Sequence, residues 1–299
     1  MSPSMSSISR LHPVLQLLRP KQWIKNAFVL APLFFSLQFT HGDALLTALL
    51  ATLAFTTLSC TIYIFNDLID CTQDRLHPVK CQRPIASGAL TFRTAYILAA
   101  ILFITSALLG LYLPTSCYII MAAYLLINFC YCIKLKHIAI IDVLVIASGF
   151  ILRLLMGGYA IAVSISPWII MTTFLLALFL GFGKRHQELS QHSNSQTRPA
   201  LKSYNLPFLD KLITISCSAT LLSYAIYVVE IAGKTGKTSL VYTIFFVVFG
   251  LFRYLQTIYL PSPTAKAGAE EPESILFRDP VFAANILIWL ITTLWILSH

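Results

Sequence analysis

The chain has 299 residues, of which 57% are hydrophobic and 11% are charged, and its mean hydropathy is +0.77. A soluble domain carries about 25% charged residues, so the composition excludes a water-soluble globular protein and defines a polytopic membrane protein. The net charge of +9 is not a nucleic-acid surface. The cations lie in short stretches between apolar segments, a placement that serves membrane orientation and phosphate handling.

Residues 1–25 are not a span. They carry Pro3, Pro13 and Pro20 with Arg10, Arg19, Lys21 and Lys25, and they lack the apolar core of a cleavable signal peptide. Leu11, Val14, Leu15 and Leu18 recur at helical spacing within Ile8–Leu18, which predicts a helix lying in the membrane interface. RPKQWIKN (Arg19–Asn26) then leads into the first apolar segment, with Trp23 at headgroup level.

Nine apolar segments follow, at 24–40, 44–65, 91–112, 115–133, 138–162, 166–183, 208–231, 239–260 and 279–297. Allowing for tilt, each can cross about 30 Å of hydrocarbon. The expectation is an all-α bundle of nine transmembrane helices, forming one catalytic domain over 26–299. Pro32 makes the first the weakest of the nine. With the N-terminus in the cytoplasm, the inner side collects nearly all cations, including Arg75, Lys80, Arg83, Arg93, Lys134, Lys136, Lys184, Arg185, Arg253, Lys266 and Arg278. The outer side keeps only Lys234 and Lys237. That asymmetry fixes the orientation. Residues 261–278 read as a Pro- and Glu-containing loop.

The second segment ends in NDLIDCTQDRLHPVKCQRPIASG (Asn66–Gly88). Asp67, Asp70 and Asp74 sit at i, i+3 and i+7, on one side of a helix within about two turns. Carboxylates this close repel unless a cation lies between them. Mg2+ suits the position, because it takes oxygen ligands and keeps places open for water and phosphate; Asn66 adds a neutral carbonyl. Arg75, Lys80 and Arg83 follow at once. Acid then base at the end of an apolar helix suits a metal-bound diphosphate.

A second polar stretch, GFGKRHQEL (Gly181–Leu189), ends the sixth segment on the same side. Two such motifs at corresponding helix ends suggest a bundle of two similar halves. Lys184 and Arg185 form a cation pair able to bind phosphate directly, or to act as a membrane anchor. Between the motifs, Asp142 and Arg153 share a helix face about 16 Å apart along the axis. Arg153 faces the protein interior, either paired with an acid of another helix or meeting a lipid phosphate. Lys134 is a further candidate phosphate contact. Gly233–Thr238 (GKTGKT) imitates a phosphate-binding loop but has Ile231 where the pattern needs glycine. The seven cysteines lack zinc-site spacing and read as reduced, mostly buried thiols.

These stretches together resemble the UbiA superfamily of intramembrane prenyltransferases. The resemblance rests on NDxxDxxxD at Asn66, Asp67, Asp70 and Asp74. Within the superfamily the chain is similar to the branch of decaprenyl-phosphate phosphoribosyltransferases, through RPKQWIKN, DRLHPVKCQRP, ISPW (Ile165–Trp168) and GKRHQEL. Most superfamily members carry a second Asp-rich motif where this chain has Lys184, Arg185 and Glu188. The resemblance implies a Mg2+-dependent glycosyltransferase of the bacterial cytoplasmic membrane. It implies catalysis and metal binding at Asp67, Asp70 and Asp74, with Asn66 as a further ligand. Phosphate contacts fall to Lys25, Lys80, Arg83, Lys134, Arg153, Lys184 and Arg185. The implied substrates are 5-phosphoribosyl 1-diphosphate and a polyprenyl phosphate, without nucleic acid; a homo-oligomer is compatible with the sequence. The alternative is prenyl transfer from a prenyl diphosphate to an aromatic or other small acceptor.

Overall fold

The computed structural model describes residues 12–77, 79–191, 199–260 and 279–299. The described residues are helical throughout their regular structure. In chain order the helices are α1 (Pro13–Leu18), α2 (Ala31–Phe35), α3 (Gly42–Leu76), α4 (Phe92–Gly110), α5 (Thr115–Ile133), α6 (Ile141–Ala160), α7 (Pro167–Gln191), α8 (Leu206–Thr235), α9 (Ile244–Tyr259) and α10 (Pro280–Ser298). Among the described residues, eight stretches are long and apolar enough to cross a membrane, the seventh combining α9 with the 3-10 turn Thr238–Thr243 before it. The protein is a multi-pass integral membrane protein. Parts of three expectations lie outside the described residues: the start of the interfacial helix, the 261–278 loop, and the cations Arg10, Lys266 and Arg278.

The nine-span expectation is corrected at its first member. In place of a span over 24–40, the chain forms a 3-10 helix at Pro20–Val29, the five-residue α2, and a further 3-10 turn at Gln38–Thr40. Pro20 and Pro32 each open one of these pieces. Between them, Gln22 and Asn26 are buried polar residues that need partners across the bundle. Among the described residues, the interfacial helix is α1, which starts at Pro13. It buries Leu17 with Ile64, Cys71, Ile85 and Ala95.

Elsewhere the apolar runs become spans close to where they were expected. Proline or polar caps start several of them. Thr91 accepts from the Thr94 amide, Asn205 from Phe208, and Asp279 from Val281 and Phe282. Gly236 ends α8 at φ 72°, so the GKTGKT stretch is a helix C-terminus. Hydroxyls inside the spans bond to their own helix: Thr52, Thr56, Ser59 and Thr61 of α3 all donate to carbonyls one turn back. That satisfies them without water.

The two largest apolar clusters divide the bundle. One joins Val29, Phe55, Leu58, Met121, Tyr124 and Met156; the other joins Val143, Phe179, Phe182, Leu209, Ile213 and Tyr254. Helix α6 contributes to both. Its Gly157 receives the broken first segment, because a Cβ there would lie 1.9 Å from the Val29 carbonyl oxygen and 2.9 Å from its carbon. Gly157→Ala is therefore expected to destabilise the protein by about 1–3 kcal/mol, read as a lower unfolding midpoint in detergent. An unchanged midpoint would mean that the segment does not depend on this seat.

Candidate active site at one end of the bundle

Helix α3 has 35 residues, about 52 Å at 1.5 Å per residue, against about 30 Å of hydrocarbon. Its last turns can therefore extend past the apolar layer, and they carry the acidic motif. At about 100° per residue, Asp74 returns to within about 20° of Asp67, while Asp70 lies about 60° round the helix. The structure follows that geometry. Asp67 and Asp74 both face Arg83, whose Nη1 donates to Asp67 Oδ1 at 2.9 Å and to Asp74 Oδ2 at 2.7 Å. Asp67 also pairs with Arg19. Asp70 turns to the loop after α5 and pairs with Lys136. Three carboxylates thus meet three cations. Asn66 is half-buried one residue before Asp67.

The chain that returns Arg83 is set by a local turn. His77 caps α3, and its Nδ1 accepts from the amides of Val79 at 3.1 Å and Lys80 at 3.3 Å. A 3-10 turn at Lys80–Gln82 follows. Arg75 Nε donates to the Ala86 carbonyl at 3.2 Å, and Gly88 takes φ 80° to leave the turn.

The three aspartates do not converge on a single point, and among the described residues no three His, Cys, Asp or Glu side chains form a ready metal cage. Asp67 and Asp74 do converge on one cationic nitrogen. Their donors are hard carboxylate oxygens at a helix end. Mg2+ is usually held by one or two carboxylates together with substrate phosphate and water, so this donor set fits it.

The second polar site is a buried network. Arg185, 1% exposed, donates through Nε to Asp142 Oδ2 at 2.7 Å and through Nη1 to Glu188 Oε2 at 2.7 Å. Tyr204 O–H donates to Asp142 Oδ1 at 2.9 Å. Burial pushes the Tyr204 phenol well above its ordinary pKa, so it remains a donor. The expectation of a cation pair that binds phosphate directly, or anchors at the membrane, is corrected for Arg185, which is buried. Its charge is enclosed by two acids because one of them, Asp142, comes from the start of the preceding helix, α6. Lys184 is half-buried beside it. His186 sits in the same turn, with Nε2 3.2 Å from Asp210 Oδ1.

Arg153 is also enclosed. It donates to Asn26 Oδ1 at 2.8 Å and to the Gly149 carbonyl at 2.9 Å. It reaches Tyr124 O–H at 3.3 Å and Ser59 Oγ at 3.5 Å. Phe55, Tyr124 and Phe150 present ring faces to its guanidinium. Among the described residues its hydrogen-bond partners are all neutral, and neither an acid nor an open phosphate site adjoins it. Both alternatives expected for it are replaced by a third. It holds Asn26, and with it the 3-10 segment, against α6 and α3. Ser59 lies about 12 Å before Asp67 along α3, so Arg153 stands apart from the acidic cluster. Lys25, on the 3-10 segment, and Lys80, after α3, are half-buried, and Lys134, ending α5, is exposed.

Sequence reasoning passed over Arg19 and Lys136 as site members. Arg19 opens RPKQWIKN and Lys136 is one of the inner-side cations, but nothing local shows that a cation 48 or 66 residues away will reach an aspartate. The Asp142–Arg185 pair was missed for the same reason.

The ionisable side chains gather where α3, α5 and α7 end and α6 and α8 begin, which defines a polytopic helical membrane protein with its chemistry at one end of the bundle. The chain belongs to the UbiA prenyltransferase family, whose sequence profile matches residues 27–277, and it is a membrane transferase of that family. It is 31% identical over 285 residues to the decaprenyl-phosphate phosphoribosyltransferase of Mycobacterium tuberculosis (strain CDC 1551 / Oshkosh), covering 93% of this chain and 92% of that one. It is 31% identical over 287 residues to the decaprenyl-phosphate phosphoribosyltransferase of Corynebacterium glutamicum, covering 92% and 84%. A UbiA homolog from Archaeoglobus fulgidus, solved bound to GPP and Mg2+, superposes with a TM-score of 0.73 at 17% identity, covering 96% of this chain and 100% of that one. It shares the fold.

Proposed function

We propose that the protein transfers the 5-phosphoribosyl group of 5-phosphoribosyl 1-diphosphate to a polyprenyl phosphate of the decaprenyl type, releasing pyrophosphate. The observation that carries this reading is the similarity, along 93% of the chain, to an enzyme bearing that name. The cation asymmetry supports a cytoplasmic position for the polar end, where a water-soluble sugar diphosphate would reach it.

Asp67 and Asp74, aided by Asp70 and Asn66, would hold Mg2+. When bound, the ion supplies positive charge to the diphosphate and steadies it as a leaving group. Arg83 and Lys80 add charge as the bond between C1 and the diphosphate oxygen breaks, with its electron pair leaving on pyrophosphate. A phosphate oxygen of the lipid forms the new bond to C1. Ring oxygen donation and the surrounding charges stabilise the oxocarbenium-like state between them. A phosphate monoester is already largely ionised near neutral pH, so no dedicated base is required. Lys25, Lys134 and Lys184 are the candidates for the lipid phosphate and the sugar 5-phosphate. Arg185 and Arg153 support the site from inside the protein.

The test uses purified protein in nanodiscs with Mg2+, a polyprenyl phosphate and labelled 5-phosphoribosyl 1-diphosphate. The expected result is label in the lipid phase with matching pyrophosphate release. No transfer from this donor, with prenyl diphosphate consumed in the presence of an aromatic acceptor, would overturn the reading.

A further inference from the structure

The loop between α5 and α6 contains a strained residue. Ile140 takes φ 69° and ψ −50°, the conformation at the centre of a γ-turn, which is rare and strained and more so for a β-branched side chain. Such a conformation persists only where its surroundings over-determine it. Here they do: the Ile140 amide donates to Tyr204 Oη at 2.5 Å. The same hydroxyl donates to Asp142 Oδ1 at 2.9 Å, and Asp142 Oδ2 accepts from Arg185 Nε at 2.7 Å. One phenol therefore joins the kinked loop to the buried Arg185 network. Four residues before Ile140, on the same loop, Lys136 pairs with Asp70 of the acidic motif.

We infer that Tyr204 is a positioning residue: by holding Ile140 in its kink, it sets the α5–α6 loop so that Lys136 reaches Asp70, and it thereby ties the Arg185 network to the diphosphate site. The chain of contacts runs Arg185, Asp142, Tyr204, Ile140, then along the loop to Lys136 and Asp70. It joins α7, the segment before α8, α6 and α3, elements that are remote in sequence. Tyr204 itself touches neither the acids of α3 nor Lys136. Its effect is on where Lys136 stands, and so on how the acidic end meets a diphosphate. This rests on the reading of that end as a diphosphate site.

The test measures binding of inorganic pyrophosphate with Mg2+ to the purified full chain in detergent, alongside turnover of the phosphoribosyl donor. Tyr204→Phe removes the hydroxyl and keeps the ring. It is expected to weaken pyrophosphate binding about tenfold and to raise the donor KM more than it lowers kcat. Lys136→Met is expected to weaken binding by a similar factor, and adding Tyr204→Phe to it should cost nothing further, because the two act through one contact. Ile140→Gly, which takes positive φ freely, should restore part of the affinity lost in Tyr204→Phe; a packing role for the ring would not give that rescue. Full additivity of Tyr204→Phe and Lys136→Met, or unchanged pyrophosphate binding in Tyr204→Phe, would overturn the inference. Wild-type protein that binds pyrophosphate but does not turn over the phosphoribosyl donor would instead overturn the proposed reaction and leave the positioning role standing. If Tyr204→Phe fails to fold, the Ile140→Gly and Lys136→Met pair carries the test. Independent effects on binding there would overturn the inference.

Discussion

Asp67→Asn is expected to lower kcat/KM for the phosphoribosyl donor by on the order of a thousandfold, with the fold retained. Asp67 accepts from Arg19 and Arg83 and lies beside Asp74 on the face that would carry Mg2+. The amide keeps the shape but loses the charge. The stability cost should be modest, because the Arg19 and Arg83 side chains remain 23% and 26% exposed and can be hydrated when their partner is neutral. The check is pyrophosphate release as a function of donor and Mg2+, with a parallel unfolding midpoint. A rate within a few-fold of wild type at ordinary Mg2+ would remove Asp67 from the machinery.

Arg185→Met is expected to do the opposite, damaging the fold first and activity through it. The guanidinium is enclosed between Asp142 and Glu188, and removing it leaves two carboxylates facing each other in a buried site. Breaking a buried pair by deleting one partner typically costs about 3–5 kcal/mol, which should appear as a large drop in the unfolding midpoint. The triple variant Arg185→Met, Asp142→Asn, Glu188→Gln should recover much of that loss, since no uncompensated charge remains. A midpoint unchanged in Arg185→Met, with a raised KM for a phosphate substrate, would instead return Arg185 to direct phosphate contact.

Hydropathy made the eight spans legible, because a run of some twenty apolar residues has one way to satisfy its backbone in lipid. The limits of α5, 115–133, coincide with the expected ones. The first segment was read as a ninth span because its apolar content is similar. Pro32 and the buried Asn26 break it, and the need of Asn26 for Arg153 arises only in three dimensions. The acidic motif was visible as spacing, and helix periodicity already separates Asp70 from Asp67 and Asp74. The cations that answer each aspartate were not visible. Arg19, Arg83 and Lys136 come from three separate segments, and sequence distance carries no information about which of them meets which acid. GKRHQEL reads as a positive patch for the same reason: beside Glu188, the second acid that encloses Arg185 lies 43 residues earlier.

The length of α3 bears on how such an enzyme meets its lipid. On the proposed reaction, acidic turns that extend past the hydrocarbon would let the reacting phosphate of a membrane-anchored acceptor stay at its resting depth and would spare the soluble donor from leaving water. Encounter with the acceptor would then be a two-dimensional search within one leaflet. Turnover in vesicles should follow the mole fraction of polyprenyl phosphate in the bilayer and should fall when inert lipid dilutes the surface, even with total acceptor in the tube held constant.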